Sequence, residues 1–132
     1  MKSYKSKVEF YDVDSMNVVW HGNYVKFIEQ ARCAFLSELG YDYEDMKNDG
    51  YAYPVAKMDF KFIAPLFFKD EIEIKVKLIE VESFLKFKYE IYNQNGQKVC
   101  VATTSQACVK MSNLQTQFSA PNKLKELVKG II

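Results

Sequence analysis

Two acidic residues and a lone histidine lie close together near the start of the chain. Asp12 and Asp14 precede His21, the only histidine, in the run DVDSMNVVWHGNY. A carboxylate at such a position can deprotonate water or attack an electrophilic carbon. The free amides at the start of a helix, together with the helix dipole, can stabilise an oxyanion. The sequence therefore predicts a reaction site where a carboxylate, above all Asp14, meets the start of a helix.

A short strand, a polar turn and one long helix are predicted to position these groups. Val8 and Phe10 alternate as a strand would, and Asp12 and Asp14 fall where that strand should end. Asn23 is the predicted N-cap, whose side-chain oxygen would accept from a first-turn amide. Gly40 is the predicted stop. Between them, apolar residues recur at helical spacing: Tyr24, Phe27, Ile28, Ala31, Ala34, Phe35 and Leu39.

The rest of the chain is dominated by alternating patterns that are typical of β-strands. A short helical turn is expected within 41–50, followed by a long extended segment over 51–64 that Pro65 ends. Alternation then predicts strands over 71–78, 85–91 and 98–111, of which the last has two covered faces and is expected to be central. Asn95-Gly96 predicts a hairpin.

The end of the chain is predicted to be a loop followed by a helix. Residues 112–120 are expected to form the loop, held down by Leu114 and Phe118. Pro121 then begins a short amphipathic helix. These elements favour an α+β domain in which an antiparallel sheet curls round the long helix.

Length and composition predict a single globular domain over residues 1–132. Hydrophobic residues make up 48% and charged residues 27%, and 18 basic against 17 acidic residues leave a net charge of +1. This balance provides no broad electrostatic footprint for nucleic acid or an anionic membrane. No apolar run approaches the length of a membrane span, and no signal-peptide core follows the first residues. We expect a cytoplasmic protein whose cysteines (Cys33, Cys100 and Cys108) are reduced thiols.

The run Asp14 to Tyr24, DSMNVVWHGNY, resembles the active-site signature of the 4-hydroxybenzoyl-CoA thioesterase family of hotdog folds. That signature has an Asp, a short apolar segment, an aromatic residue or His, and an Asn-Tyr that opens the central helix. His21 is most similar to the Tol–Pal-associated acyl-CoA thioesterase branch, whereas Trp20 resembles the aromatic-acid branch. Residues 62–65, before 69–72, look like the family's link between strands two and three.

The resemblance implies a hotdog fold with an antiparallel sheet of about five strands wrapped round one long helix. It further implies a homodimer or homotetramer with sites at the subunit interface, and hydrolysis of an acyl-CoA thioester without a metal or redox cofactor. Asp14 takes the catalytic carboxylate, as base or nucleophile, and the backbone amide of His21 faces the thioester carbonyl. The candidate substrate-binding residues are Trp20, Gly22, Asn23 and Tyr24.

Several of these residues have a structural alternative. Asp12 can fill a turn or hydrogen-bonding role or form a carboxylate pair with Asp14, and the His21 ring can be structural. Asn23 and Tyr24 can be a cap and a packing residue. Two lysines on a polar strand face, Lys86 and Lys88, can be merely solvated or can meet CoA phosphates. Two other functions remain open, namely a hotdog hydratase or dehydratase and a non-catalytic acyl-CoA or acyl-carrier-protein binding module.

Overall fold

The computed structural model describes all residues from 1 to 132. Its helices are α1 (Asn23–Leu39), α2 (Tyr43–Asn48) and α3 (Asn122–Leu127), and a 3₁₀ turn covers Phe10–Asp12. Its strands are β1 (Lys2–Lys7), β2 (Tyr51–Ala52), β3 (Val55–Phe62), β4 (Glu71–Glu80), β5 (Leu85–Tyr92), β6 (Lys98–Gln106), β7 (Cys108–Lys110) and β8 (Thr116–Gln117). No helix is both long and apolar enough to cross a membrane.

Five antiparallel strands form the main sheet in the order β1-β4-β5-β6-β3, and β2, β7 and β8 form a small second sheet. The alternation predicted for 71–78 and 85–91 sets the two faces. On β4 and β5 the apolar residues are buried on the inner face and the charged residues lie on the outer one. Helix α1 covers the inner face and packs chiefly on β4 and β1. This arrangement confirms the predicted α+β hotdog fold.

The apolar stripe of α1 is buried against this inner face. Tyr24, Phe27, Ile28, Ala31 and Phe35 all lie in the core, and burial of one large side chain stabilises a fold by about 1.5–3 kcal/mol. The helix ends as predicted at Gly40, whose φ of +90° is left-handed and therefore favours glycine. The long helix predicted from periodicity is confirmed.

The strand predicted around Val8 and Phe10 is wrong. The first strand is β1 over Lys2–Lys7, and Phe10 lies in the exposed 3₁₀ turn. Strand β1 is an edge strand, and edge strands often carry lysines and few apolar residues. Its inward-facing Lys2 and Tyr4 bind Glu38 at the end of α1, so its sequence lacks the apolar alternation that identifies strands. Asp14 therefore lies in a loop after β1 and not at the end of a strand.

The extended segment predicted over 51–64 is interrupted, because Tyr53 and Pro54 separate β2 from β3. Strand β3 forms the other edge of the main sheet. Its apolar residues pair opposite the buried residues of β6, and so they face inward. They are only partly covered, since α1 lies over the far side of the sheet. Phe62, the last of them, is 49% exposed.

The segment predicted as one strand over 98–111 forms two strands, β6 and β7, with a break at Ala107. Strand β6 lies between β5 and β3, so its interior position is confirmed, but its outer face (Val101, Thr103 and Ser105) is only partly buried and not fully covered as predicted. The turn before it contains Gly96 with a φ of +76°, as the Asn-Gly pair predicts.

Two apolar residues predicted to hold down the loop at 112–120 do not do so. Leu114 is 74% exposed and Phe118 is 85% exposed, so neither packs on the core. The short helix after Pro121 is confirmed as α3, which buries Leu124.

Candidate active site

A cleft of about 380 Å³ opens where the loop after the 3₁₀ turn meets the start of α1 and the end of β3. Four predicted site residues lie in it, the carboxylate Asp14 and the ring-bearing Trp20, His21 and Tyr24. The remaining lining residues are Val18, Val19, Phe62, Ile63, Ala64 and Pro65. Gly22 and Asn23 are not among its lining residues. The carboxylate and the helix start that the sequence singled out therefore meet in one apolar-walled cleft.

The carboxylate of Asp14 is held by the turn that it begins. Met16 N–H and Val18 N–H donate to its Oδ1 at 2.9 and 3.3 Å, and Asp14 N–H donates to Val18 O at 2.9 Å. Asn17 completes the turn with a φ of +64°, a left-handed conformation that Asn tolerates better than most residues. The second oxygen, Oδ2, accepts no hydrogen bond from the protein, and the side chain is exposed. One oxygen is thus fixed in place while the other is free for chemistry.

The chain enters α1 through tight turns that leave the amides of His21 and Gly22 free. Asn23 N–H donates to Trp20 O at 2.9 Å, and Tyr24 N–H donates to His21 O at 3.2 Å. The N–H groups of His21 and Gly22 have no acceptor within the protein. Such unpaired amides at a helix start favour an anionic oxygen. The cleft-lining residue His21 therefore brings a free backbone donor to the site.

The predicted capping role of Asn23 is wrong. Asn23 is the first residue of α1, and Gly22 before it already has helical dihedrals, with φ −63° and ψ −24°. A side-chain cap needs an extended backbone at the capping residue, and the backbone before α1 is already helical. The Asn23 side chain instead donates through Nδ2 to the carbonyl oxygen of Asp12 at 2.7 Å.

Asp12 differs from Asp14 in both burial and partners. It is 1% exposed and does not line the cleft. Its Oδ2 accepts from Glu9 N–H at 2.9 Å, and its Oδ1 forms an ion pair with Lys26. Both oxygens are therefore occupied, which favours the structural alternative over a carboxylate pair with Asp14.

Aromatic rings form the walls of the cleft. The ring of His21 lies between those of Trp20 and Phe62, with centroid distances of 5.3 and 6.2 Å, and Tyr24 contacts Phe62 edge-on at 5.0 Å. A Cβ on Gly22 would collide with the Trp20 ring, so the present position of the indole requires glycine there. Burial raises the pKa of the Tyr24 phenol to about 12, so Tyr24 is neutral near pH 7 and does not serve as a base.

The wall formed by residues 62–65 was not predicted from the sequence as part of the site. Phe62 and Ile63 are large apolar residues left exposed where β3 ends, just before Pro65. Apolar residues at the end of an edge strand, followed by proline, were the available signal. Only the fold shows that this strand end meets the start of α1.

No group of three or more His, Cys, Asp and Glu side chains in the protein is placed to hold a metal ion. All three cysteines are free thiols, with Cys33 exposed and Cys100 and Cys108 buried. Lys86 and Lys88 pair opposite Ser105 and Thr103 on the outer face of the sheet, whereas the cleft opens on the inner face.

Comparison with known proteins places this cleft in a family context. Residues 8–128 match the model of the Thioesterase-like superfamily. The chain is 26% identical to a 1,4-dihydroxy-2-naphthoyl-CoA hydrolase from Thermosynechococcus vestitus, covering 98% of this chain and 90% of the relative. It is 28% identical to the acyl-CoA thioester hydrolase YbgC from Escherichia coli O157:H7, over 78% of each chain. A hypothetical protein from Thermus thermophilus shares the fold with a TM-score of 0.89 at 25% identity, covering 100% of both chains.

The match covers the loop with Asp14, the whole of α1 and every strand of the main sheet except β1. It therefore includes all of the residues that line the cleft. At the level of the family, the predicted class of enzyme, a thioester hydrolase, is confirmed. The chain belongs to the thioesterase-like superfamily, whose members have the hotdog fold.

Proposed function

We propose that this protein hydrolyses an acyl-CoA thioester to the free acid and CoA in the cleft around Asp14. The observation that carries the proposal is the pairing of two unsatisfied groups in one place. Asp14 has a free carboxylate oxygen and His21 has a free backbone N–H, and both residues line the cleft; the N–H of Gly22 is also free, although Gly22 is not a lining residue. A carbonyl group between them meets a base or nucleophile on one side and an oxyanion donor on the other.

Two routes use the free oxygen of Asp14. As a general base, the carboxylate takes a proton from water while the water oxygen attacks the thioester carbon. As a nucleophile, it attacks that carbon itself and forms an acyl-enzyme anhydride that water then hydrolyses. In both routes the C–S bond breaks and CoA leaves as a thiolate, which needs little help from an acid because thiols have low pKa values. The neutral Tyr24 phenol near the site does not compete as a base.

The amides of His21 and Gly22 supply the second element of the mechanism. As the carbonyl carbon becomes tetrahedral, its oxygen gains negative charge, which backbone donors stabilise without having to reorient. The backbone of residue 21 provides this donor whatever its side chain, so the imidazole is proposed as a wall of the cleft. Trp20 and Tyr24 are proposed as the walls that contact the acyl group.

The kind of acyl group that the cleft accepts, aromatic or aliphatic, is the next part of the proposal. The 1,4-dihydroxy-2-naphthoyl-CoA hydrolase and the acyl-CoA thioester hydrolase YbgC are 26% and 28% identical to this chain. Sequence identity alone therefore does not decide which branch of the family this chain resembles more. The single feature that favours the Tol–Pal-associated branch is His21 at the helix start. The aromatic wall around Trp20 and Phe62 suits an aromatic acyl group as well as an aliphatic one.

The protein is also proposed to act as a homo-oligomer. Strand β3 is an edge strand whose inner-face residues, such as Phe60 and Phe62, are incompletely covered. A second copy paired along β3 would cover them and close the cleft at Phe62. Lys57 and Lys61 on its outer face argue for the opposite, since edge lysines often prevent such pairing. Sedimentation at micromolar concentration measures whether the protein is a monomer or an oligomer, and an active monomer would contradict the proposal.

Thiol release from a panel of short, long and aromatic acyl-CoA substrates tests the proposed reaction. A thioesterase releases one CoA for each free acid formed from at least one of them. A hotdog hydratase would instead change an enoyl-CoA without releasing thiol. A binding module would retain acyl-CoA or an acyl carrier protein without turnover, and either result would contradict the proposal.

A further inference from the structure

Asp12 connects the loop that carries Asp14 to the first turn of α1. Its side chain pairs with Lys26, and its carbonyl oxygen accepts from Asn23 Nδ2 at 2.7 Å. Asn23 and Lys26 lie about one turn apart on α1, and so they share a face of the helix. One buried residue therefore holds the helix start through both its side chain and its backbone.

The loop between Asp12 and Trp20 links the position of Asp14 to that of Asp12. Trp20 N–H donates to Asp12 O at 3.2 Å, and Asp14 N–H donates to Val18 O. Together with the bridge between Val13 and Val19, these bonds make the loop a narrow hairpin. The Asp14 carboxylate is fixed within this hairpin by the turn amides. Its place relative to α1 thus depends on how Asp12 is attached to the helix.

We propose that the Asp12–Lys26 ion pair positions Asp14 against the free amides of His21 and Gly22, an inference that rests on the proposed thioesterase function. Neither Asp12 nor Lys26 lines the cleft, so both are positioning residues and touch no substrate. Attack on a carbonyl group requires the carboxylate and the oxyanion donors at a set separation. A misplacement of about 1 Å costs about 100-fold in rate.

The loop has other attachments outside this pair, which limit the expected effect. Val19 N–H donates to Leu66 O at 2.9 Å and Val18 forms a β-bridge with Phe67, so the loop stays attached to residues 66–67 when the ion pair is removed, while Asp14 can still shift. Lys26→Met keeps the aliphatic stem of the side chain and removes its charge. We expect this change to shift the loop without unfolding the protein.

The first test measures the kinetics of Lys26→Met with an acyl-CoA that the wild type hydrolyses. The kcat should fall about 10- to 100-fold, while KM should stay within about twofold because the walls of the cleft are unchanged. Lys26→Arg should restore most of the kcat, since it restores the charge opposite Asp12. Asn23→Ala, which removes the bond to Asp12 O, should lower kcat in the same way.

A matched control removes an ion pair elsewhere on the protein. Lys98 pairs with Glu90 at 3.0 Å on the outer face of the sheet, and Lys98→Met should leave both kinetic constants unchanged. A Lys26→Met protein with a native circular dichroism spectrum and a kcat within twofold of wild type would overturn the positioning role. A lost kcat that Lys26→Arg does not restore would overturn it as well.

A double variant separates positioning from a general structural effect. If Lys26 acts through Asp14, then Lys26→Met should lower the residual rate of Asp14→Asn by less than about twofold. A full multiplicative loss would show that the lysine acts independently and would contradict the proposal. Hydrogen exchange at the Met16 and Val18 amides, which needs no turnover, should be faster in Lys26→Met.

The two proposals fail in different ways. If the wild type hydrolyses no acyl-CoA, then the thioesterase function fails and the positioning role fails with it, even where amide exchange responds to Lys26→Met. If the wild type is active and neither kcat nor amide exchange responds to Lys26→Met, then only the positioning role is overturned.

Discussion

Two groups of polar side chains lie along α1, and they differ in how fully their hydrogen bonds are satisfied. At the helix start, Asp14 keeps a free oxygen, and His21 and Gly22 keep free amides, all near solvent. In the middle of the helix, Arg32 is 1% exposed and is surrounded by partners. Its Nε donates to Tyr43 OH at 2.8 Å, its Nη1 donates to Tyr89 OH at 3.4 Å, and its Nη2 forms an ion pair with Glu29.

The network around Arg32 extends from the helix into the sheet. Tyr89 OH contacts Thr104 Oγ1 at 2.8 Å, joining β5 to β6 beneath the helix. Gln106 donates through Nε2 to Tyr43 OH at 3.2 Å and to Tyr53 O at 2.7 Å, which ties in α2 and the segment before β3.

The difference between the two groups follows from the cost of burying polar atoms. A polar group deep in the core destabilises the fold unless it is paired, and the side chains of the Arg32 network are bonded except at Gln106 Oε1, which has no partner. A group that must react has to keep an unused donor or acceptor, and only solvent makes this tolerable in the absence of substrate. The middle of α1 is therefore expected to govern stability, and its start is expected to govern turnover.

The largest predicted effect is at Asp14. Asp14→Asn keeps an oxygen that accepts from the Met16 and Val18 amides, so the turn and the fold should survive, with a change in unfolding free energy of about 0.5 kcal/mol or less. It removes the charge that serves as base or nucleophile, so kcat should fall about 10²- to 10⁴-fold. Thiol release together with urea unfolding measures both. A folded variant with near-normal turnover would remove Asp14 from the mechanism.

Two substitutions at residue 21 distinguish the contribution of the backbone amide to activity from that of the side chain. His21→Ala keeps the amide and should retain most of the activity. His21→Pro removes the N–H and should lower kcat by about 10²- to 10³-fold, the loss associated with one oxyanion donor. The two kcat values, measured on the same acyl-CoA, decide between backbone and side chain.

The opposite pattern would assign the chemistry to the imidazole. If His21→Ala were as inactive as Asp14→Asn while His21→Pro were no worse than His21→Ala, the backbone account would be wrong. Because proline can also strain the turn at Gly22, a mild effect of His21→Pro would be the more informative result.

In the middle of the helix, the predicted effect is on stability. Arg32→Met fills similar space but leaves the hydroxyls of Tyr43 and Tyr89 without their charged donor. We expect a loss of about 2–4 kcal/mol in unfolding free energy, measured by urea denaturation. Glu29→Gln, which alters the half-exposed partner of Arg32, is the control and should cost less. A fully stable Arg32→Met protein would show that the network contributes little.

The smallest predicted effect is at the outer face of the sheet. Lys88 lies opposite Thr103 there, away from the cleft, and is expected to be a solvated side chain. Lys88→Met should leave KM for acyl-CoA within about twofold of wild type, because no bound phosphate would lose a partner. A tenfold rise in KM that is relieved at high salt would instead place the CoA phosphates on this face.

The sequence predicted α1, β4 and β5 well because each has one buried and one wet face, which produces a clear period. It failed for β1, because an edge strand that binds Glu38 through Lys2 and Tyr4 has no apolar period. Arg32 was also missed, although it occupies the apolar stripe between Ile28 and Phe35. A charge in that stripe must find polar partners, and two of them, Tyr43 in α2 and Tyr89 in β5, are brought to it only by the fold.

Only part of the candidate site could be predicted from the sequence, because only some of its residues are close together along the chain. Asp14, Trp20, His21 and Tyr24 are close in sequence, so local spacing was enough to bring them together. The wall from Phe62 to Pro65 reaches the cleft only through the register of β3 against β6. No local pattern specifies that register.

Parallel measurements of kcat and unfolding free energy on Asp14→Asn and Arg32→Met test whether the start of α1 governs turnover and its middle governs stability. At a temperature where both variants are folded, we expect Asp14→Asn to lose about 10²- to 10⁴-fold in kcat with native stability. We expect Arg32→Met to lose about 2–4 kcal/mol of stability but to keep kcat within about threefold. A stable Asp14→Asn that still hydrolyses acyl-CoA, beside a folded Arg32→Met that does not, would show that the start of α1 does not govern turnover and that its middle does.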